Sequence, residues 1–239
     1  MNKKSILKVF LIVSGIATCS IGHSLTRQGA YLNLGVGYVA NLASGNANKY
    51  LISQPAVPGT STLMHDNASD ASGFDISVGA GYQWRLIDGW SLSLGGRLSR
   101  SMLVQSGVWQ YFSNGAYSYA VDINDVSAVS QILYTWEKWQ FYGGLHAGAA
   151  FIASDSYTTN NSGGGNFDSK VVINPSYGGE LGVVRYLSDT IGVGVTLSYS
   201  DFGNAELGSR MIPSPSTNSG EMKQRLQVVT VSLNFMKRF

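Results

Sequence analysis

The sequence has a single cysteine, Cys19, among 239 residues, and only 5 prolines. Cys19 lies in a segment that we expect to be removed, so the mature chain should lack disulfides, thiol nucleophiles and cysteine metal sites. Charged residues make up 13% of the chain, well below the globular average of about 25%. The formal net charge of +2 implies no broad basic surface, so no nucleic acid partner is expected. Low charge together with 29 glycines and 13 tyrosines suits a chain whose outer face does not meet water.

The chain also lacks long apolar runs. No stretch after residue 24 reaches the roughly 20 apolar residues of a membrane helix, which excludes a transmembrane helical bundle. The short run VFLIVSGIA, residues 9–17, follows Lys3, Lys4 and Lys8 and precedes small residues ending at Ser24. This pattern predicts a signal peptide over residues 1–24 and a mature domain over residues 25–239. The segment IATC resembles a lipoprotein processing box, so lipidation of Cys19 remains an alternative.

Apolar and polar residues alternate with a period of two from Gly29 onward, which is the pattern of β-strands with two different faces. The clearest examples are GFDISVGAGYQWRL, residues 73–86, and VVTVSLNFMKRF, residues 228–239. Eight such segments can be distinguished along the sequence. In the fourth, within residues 117–136, the alternation slips near Asp125. This segment is either one strand with a bulge or two strands, and two would raise the total to ten.

The connections between these segments alternate in length. Those after the first, third, fifth and seventh strands are long and polar, and cover residues 41–72, 102–117, 153–170 and 201–221. The remaining connections are tight turns. Because an up-and-down barrel gathers all connections of one parity at one end, we predict an all-β fold, an eight-stranded antiparallel up-and-down transmembrane β-barrel. Its four long loops would lie at one end.

Two observations favour a barrel whose apolar face points outward into a membrane. The polar face is rich in Gly, Ser and Thr, which suit a crowded, narrow interior. Aromatic residues also cluster at the strand ends, as in the interfacial girdles of membrane barrels. The predicted girdle residues are Tyr38, Phe74, Trp84, Trp90, Trp136, Trp139, Phe151 and Tyr199. A soluble lipocalin-like carrier with an apolar interior is the alternative, but it gives no reason for the asymmetry of the loops.

The N-terminal segment, the eight alternating strands and the terminal Phe239 together resemble the small outer-membrane barrels of Gram-negative bacteria, the OmpA-like and opacity-type barrel superfamily. The resemblance implies export to the outer membrane, four extracellular loops, and contact with membrane lipid and lipopolysaccharide. It also implies recognition by the barrel-assembly machinery of an aromatic last residue preceded by alternate apolar residues. Val231, Leu233, Phe235 and Phe239 fit that signal. Lys237 departs from it, and we expect its side chain to snorkel to the interface.

The inward face carries polar residues that should form a network in the lumen. They are Asp75, Arg85, Arg97, Gln131, His146 and Glu180. Because an unpaired charge inside a membrane barrel is costly, we predict that Glu180 pairs with Arg97, with His146 or with both. The first interpretation is a structural plug, and the alternatives are a constriction that selects solutes and a catalytic His/Glu pair.

We do not expect an enzyme. A barrel lipid A deacylase, which this chain resembles in size, places a serine two residues from its histidine, and here Gly148 holds that position. His65 with Asp66 and Asp70 could contact a metal ion, but no strand spacing fixes them, so neither a metal nor a cofactor is expected.

Because eight strands leave an interior that side chains about fill, we expect a closed or narrow barrel. Its role would be structural or adhesin-like, with a host or surface ligand bound through the extracellular loops. A small-solute porin is the alternative, followed by a lipid-modifying enzyme.

Deletion of Phe239 tests the assembly signal. We expect the truncated chain to insert poorly in cells, because the machinery loses its aromatic recognition residue, while the refolded barrel keeps its stability to within about 1 kcal/mol. Insertion is measured as the folded fraction in isolated outer membranes and stability by urea unfolding of the refolded protein. Normal insertion in cells would contradict the targeting role of this residue.

Overall fold

The computed structural model describes residues 28–42, 50–53, 61–64, 71–108, 116–159, 165–207 and 222–239. The predicted signal peptide, with Cys19, and the loop residues His65, Asp66 and Asp70 lie outside this part. Among the described residues, no helix is long and apolar enough to cross a membrane.

The described chain consists of antiparallel strands. In chain order they are β1 (Gly29–Asn41), β2 (Tyr50–Ser53), β3 (Ser61–Met64), β4 (Ser72–Arg85), β5 (Trp90–Val108), β6 (Ala116–Trp136), β7 (Trp139–Thr159), β8 (Gly165–Tyr186), β9 (Ile191–Leu207) and β10 (Met222–Arg238).

Eight of these strands close into one barrel in the order β1-β10-β9-β8-β7-β6-β5-β4. The last strand pairs with the first over a continuous register that runs from Tyr31 opposite Arg238 to Asn41 opposite Val228. This confirms the predicted all-β, eight-stranded, up-and-down barrel. The two short strands β2 and β3 form a separate hairpin inside the first long connection.

The fourth predicted strand is a single one. β6 pairs with β5 and with β7 without any register shift, and Asp125 lies opposite Ser99 and Ala150 in unbroken ladders. The slip in alternation at this point is therefore not a bulge or a strand boundary. The apolar outward face is simply interrupted there by the polar Asn124 and Asp122.

The long connections are shorter than the sequence suggested. β5 continues to Val108 and β7 to Thr159, while β8 already begins at Gly165 and has 22 residues. The polar residues there were assigned to loops because their alternation is weak, but their backbones remain paired. At a tilt of about 45°, roughly 10 residues cross the hydrocarbon core, so β5 to β8 extend well beyond it at the long-connection end.

The two faces of the strands differ as the alternation predicted. Along β10, Val231, Leu233 and Phe235 are exposed on the outside, whereas Ser232 and Asn234 are buried on the inside. The inside is not uniformly polar, however. Near the long-connection end it holds a buried apolar cluster, and a second cluster lies near the short turns. The first comprises Val39, Ala71, Leu103, Val121, Ile123, Ala150, Ile152, Phe202, Ala205, Leu226 and Val228, and the second Leu133, Tyr142, Val184, Tyr186 and Met236.

The outward face can be tested with two equally exposed leucines. Leu233 lies in the middle of β10 and is 63% exposed, and Leu187 lies in a short turn and is 64% exposed. If the wall contacts lipid, Leu233→Arg should lower the free energy of unfolding by about 2–4 kcal/mol, the cost of arginine near the bilayer midplane.

Leu187→Arg is the matched control, and it should change stability by less than about 1 kcal/mol because the turn lies outside the hydrocarbon. The measurement is urea unfolding of the protein refolded into lipid vesicles. Equal, small effects of the two substitutions would argue for a water-facing wall and the soluble carrier.

Candidate functional site

The centre of the lumen is organised by one buried carboxylate. Glu180 on β8 accepts a hydrogen bond from Arg97 Nη1 on β5 at 2.6 Å and another from Gln131 Nε2 on β6 at 2.5 Å. The Arg97 and Glu180 side chains are 19% and 5% exposed. A charge this deep needs a partner of opposite sign, and the predicted Glu180–Arg97 pair is confirmed.

His146 does not join this pair. It lies opposite Gly178 on β8, two residues away from the level of Glu180, which lies opposite Gly144. Its Nε2 atom is 3.0 Å from Ser200 Oγ on β9, and its Nδ1 atom has no protein hydrogen-bond partner among the described residues. The imidazole lies directly over Gly178, where a Cβ atom would stand 2.6 Å from Nε2. A side chain at position 178 would therefore displace the histidine.

The two other inward carboxylates are also satisfied by neighbouring hydroxyls. Ser101 Oγ donates a hydrogen bond to Asp75 Oδ1 at 2.6 Å, and Ser176 does the same for Asp125. Both carboxylates are buried. Asp75 was predicted as part of the lumen network, whereas Asp125 was considered only as a place where the strand slips.

A small polar cavity of about 60 Å³ lies beside these groups, lined by Arg97, Glu180, Asp75 and Asn33 among others. Arg97 Nε and Asn33 Oδ1 are buried, and neither has a hydrogen-bond partner within the part of the chain that the structure describes. A polar cavity of this size accommodates a few water molecules, which commonly satisfy such atoms. Phe202 borders it on one side, and Tyr142 and Met236 border it on the other.

A second polar network lies closer to the short turns. Arg238 Nη2 donates hydrogen bonds to Gln83 Oε1 at 2.6 Å and to Gln140 Oε1 at 2.7 Å. Tyr186 donates to the same Gln140 oxygen at 3.0 Å, and the Arg238 guanidinium lies 4.7 Å from the centre of the Tyr186 ring. Sequence reasoning missed this network. Alternate residues of a strand share a face, so the inward direction of Arg238 follows from the inward direction of Ser232 and Asn234; we call this alternation parity.

Arg85 was predicted to belong to the lumen network, and this was wrong. It has inward parity on β4, but it is the last residue of that strand and its side chain is exposed at the short-turn rim. The alternation along a strand determines the direction of a side chain but not whether it is enclosed, and at the end of β4 Arg85 is not buried.

The outer wall carries aromatic residues at two levels, as predicted. Exposed members at the long-connection end are Tyr38, Phe74, Phe151 and Tyr199, and those at the short-turn end are Trp84, Trp90 and Trp136, with Trp139 half-buried beside them. Aromatic rings are in contact at the short-turn end: the ring centroids of Tyr82 and Trp84 are 4.9 Å apart, and those of Trp90 and Tyr134 are 5.0 Å apart. Exposed aliphatic residues such as Leu94, Leu145, Leu181 and Leu197 lie between the two levels. This is the arrangement of a lipid-facing band between two interfaces.

Comparisons with solved structures bear on the fold. The outer-membrane protease OmpT from Escherichia coli is 11% identical, with a TM-score of 0.52 over 92% of this chain and 99% of that one. The chain has the fold of a bacterial outer-membrane β-barrel. The outer-membrane protein OprG from Pseudomonas aeruginosa is 15% identical, with a TM-score of 0.48 over 91% and 99% of the two chains. Neisserial surface protein A is 10% identical, with a TM-score of 0.41 over 88% and 97%. No protein-family model matches the sequence, and no curated protein matches it.

The protein is thus an integral barrel of the Gram-negative outer membrane. Barrels of this kind place their short turns in the periplasm and their long loops outside the cell, and we expect the same orientation here; the two ends are named periplasmic and extracellular on that expectation. The closing strand β10 presents Val231, Leu233, Phe235 and Phe239 outward, in the alternation expected of the assembly signal. Lys237 is exposed between the last two, with its Nζ atom 5.2 Å from the centre of the Phe239 ring. The role of these residues in assembly stays a prediction.

The extracellular rim contains a bulge that the sequence did not reveal. The β9–β10 register shifts between Arg225 and Gln227, where Phe202 and Gly203 face the single residue Leu226. Gly203 has a φ of +75°, and Asp201 Oδ1 accepts a hydrogen bond from its backbone N–H at 2.9 Å. A glycine is needed here because other residues rarely adopt this conformation.

Asp201 also binds Arg225, whose Nη2 atom lies 2.6 Å from Oδ2. The Gly203 N–H and the Gln227 side chain also donate hydrogen bonds to the Asp201 carboxylate, at 2.9 and 3.4 Å. These contacts hold the bulge to β10.

The contribution of the central ion pair to stability can be tested with Arg97, and Arg100 on the same strand serves as the control. Arg97→Ala should lower the free energy of unfolding by about 3–5 kcal/mol, because it leaves Glu180 buried without its cation. Arg100→Ala should cost at most about 1 kcal/mol, since Arg100 pairs with Asp122 close to the aromatic level at the long-connection end, where charges on the outer wall have little effect on stability.

The free energy of unfolding of both variants is measured by urea unfolding after the proteins have been refolded into lipid vesicles. The double variant Arg97→Met with Glu180→Leu separates pairing from packing, and it should recover most of the stability that Arg97→Ala loses. Equal losses in Arg97→Ala and Arg100→Ala would mean that the central pair does not support the barrel.

Proposed function

We propose that this outer-membrane barrel is closed to solutes and that it acts at the cell surface, where its extracellular loops bind a host or surface ligand in an adhesin-like manner. We further propose that residues 1–24 are its signal peptide, that it has no catalytic activity, and that it contacts membrane lipid and lipopolysaccharide along its wall.

The observation that carries this proposal is the filling of the lumen. An apolar layer that includes Leu103, Ile152 and Phe202 crosses the barrel at the extracellular side, and all three side chains are at most 5% exposed. The Arg238 and Gln140 network crosses it at the periplasmic side. Between them remains a cavity of about 60 Å³, far smaller than a nutrient solute. A polar solute would have to cross an apolar layer in which nothing replaces its hydration.

The shape of the extracellular end supports a role outside the cell. The paired strands β6, β7 and β8 have 21, 21 and 22 residues. At about 3.4 Å per residue and a tilt of about 45°, such strands rise about 50 Å along the barrel axis, against a hydrocarbon core of about 30 Å. Loops mounted on a rigid extension are suited to recognition.

The contacts of His146 support the absence of catalysis. Ser200 supplies the hydroxyl that Gly148 could not, since its Oγ atom lies 3.0 Å from His146 Nε2. Both residues are buried, however, and His146 is 3% exposed. No carboxylate accepts a hydrogen bond from Nδ1 among the described residues, so the group that orients a catalytic imidazole is missing.

The first test is conductance in planar lipid bilayers. We expect the refolded protein to give no stable channels, because the lumen is occupied at two levels. Arg97→Ala with Glu180→Ala removes the central pair but leaves both outer layers, so this variant should stay closed as well. Stable, voltage-independent channels in the wild type would overturn the closed barrel and favour the small-solute porin.

The second readout is adhesion of cells that express the protein to a cultured epithelial monolayer. The variant replaces the loop aromatics Trp109, Tyr111 and Phe112, which lie outside the described residues, with serine. Adhesion should fall to the level of non-expressing cells, while heat-modifiable migration in gels shows that the barrel is intact. Unchanged adhesion would contradict surface binding through this loop.

A further inference from the structure

The outer wall of the barrel is not evenly covered. A groove of about 680 Å³ crosses β6 to β9 on the lipid side, and its lining includes Gly143, Gly179, Leu145, Leu181 and Ile132. Most membrane-facing positions of this barrel carry large side chains, so a recess of this size sets one sector of the wall apart.

The recess follows from the strand register. Gly143 on β7 lies opposite Leu181 on β8, and Leu145 lies opposite Gly179. The two glycines therefore occupy one diagonal of a four-residue square and the two leucines the other. Leu145 and Leu181 are 72% and 66% exposed and form the sides. The glycines form a floor at the level of the backbone.

A cation lies below this recess. Arg185 is four residues further along β8 on the same outward face, in the direction of the periplasm. Its guanidinium carbon is 5.4 Å from the centre of the Trp139 ring, in the periplasmic aromatic level. Arg185 makes no ion pair with the described residues, unlike Arg97, Arg100, Lys170 and Arg225. Its charge is thus available to a group outside the protein.

The distance between the two features matches one leaflet of a bilayer. Leu181 is four and Gly179 is six strand residues from Arg185. These separations span about 14 and 20 Å, which at a tilt of about 45° are about 10 and 14 Å of depth. One leaflet contributes about 15 Å to the hydrocarbon core. The recess therefore lies at acyl-chain depth when Arg185 is at the level of the headgroups.

We propose that this recess and Arg185 form a binding site for one phospholipid of the periplasmic leaflet. The phosphate accepts hydrogen bonds from the Arg185 guanidinium, which suits planar, charge-assisted recognition of phosphate oxygens. One acyl chain runs past Val183 and Phe141 and lies over Gly143 and Gly179. The site does not depend on the proposed function, since it concerns only the wall and its lipid.

A second copy of the chain is the other conceivable occupant, and the charges disfavour it. Two barrels that met at this sector about a twofold axis would bring their Arg185 side chains towards one another at the same depth. Among the described residues, Arg185 makes no ion pair that would neutralise this repulsion. A phosphate, by contrast, complements the charge and is present at that level all around the barrel.

The test is native mass spectrometry of the detergent-refolded protein with dioleoylphosphatidylglycerol as the probe. Wild type should retain one phospholipid per chain. Gly179→Leu fills the recess, and a Cβ atom at this position meets its nearest neighbours at 3.5 Å and 3.7 Å, which are ordinary contacts. Arg185→Gln removes the charge. Each should weaken retention about tenfold, which corresponds to about 1.4 kcal/mol.

Two matched controls are available on the same wall. Gly96 on β5 also faces lipid, and a Cβ atom there meets nothing closer than 3.9 Å, so Gly96→Leu adds the same bulk at a distance from the recess. Lys237 lies over Phe239 much as Arg185 lies over Trp139, at 5.2 Å from the ring centre, and Lys237→Gln removes a charge without a recess above it. Both variants should retain the lipid.

Probes that lack either the phosphate or the acyl chains show whether both parts of the phospholipid contribute to its affinity. Dioleoylglycerol, without a phosphate, and glycerol phosphate, without acyl chains, should each bind at least about tenfold more weakly than the whole phospholipid. Equal losses in Gly179→Leu and Gly96→Leu, or lipid retention in all variants, would refute the site. A dimer that carries no lipid and that Gly179→Leu dissociates would show that a second copy occupies the recess instead.

Discussion

The structure depends on one constraint, which is that no backbone N–H or C=O group may remain unpaired inside the hydrocarbon core. Water is absent there, and each unpaired group costs several kcal/mol. The register between β1 and β10 satisfies this requirement, since it continues along the strand from Tyr31 to Asn41 without a shift. Among the described strands, the ladder shifts register at Arg225/Gln227 and at Ser154/Ser156, both towards the long connections. At the first of these, Asp201 and the side chain of Asn174 satisfy the freed backbone groups around Gly203. Once β1 and β10 have closed the barrel, the identity of each side chain affects packing and chemistry but no longer changes the path of the backbone.

Closure with eight strands also determines the character of the lumen. The interior is narrow, so a charge placed there meets side chains from the opposite wall instead of bulk water. Arg97 and Glu180 come from strands that are not neighbours in the barrel, and their ion pair connects the two sides. The same narrowness lets glycines act as recesses for larger residues, as Gly178 does for His146. The network therefore connects opposite walls of a barrel that backbone pairing has already closed.

Much of this architecture could be predicted from the sequence, because a period of two and alternating loop lengths are local patterns. The barrel, its strand number, the aromatic levels and the Glu180–Arg97 pair all follow from parity. The partner of His146 did not, because Ser200 lies 54 positions away and only the register brings the two together. The extracellular apolar layer was missed for another reason: Leu103 and Phe202 lie in stretches whose polar neighbours suggested loops. Arg85 shows the limit of parity itself, which predicts direction but not whether an enclosing wall is present.

The unequal strand lengths have a consequence for how the molecule meets its surroundings. β1 has 13 residues and β4 has 14, whereas β8 on the far side has 22. The paired wall of the barrel is therefore shorter at β1 and β4 than around β6 to β8, and the connection that joins these two short strands contains the β2–β3 hairpin. Seen along the barrel axis, the two sides of the molecule are not equivalent. The long and the short side of the wall therefore offer different surfaces to a neighbour in the same membrane.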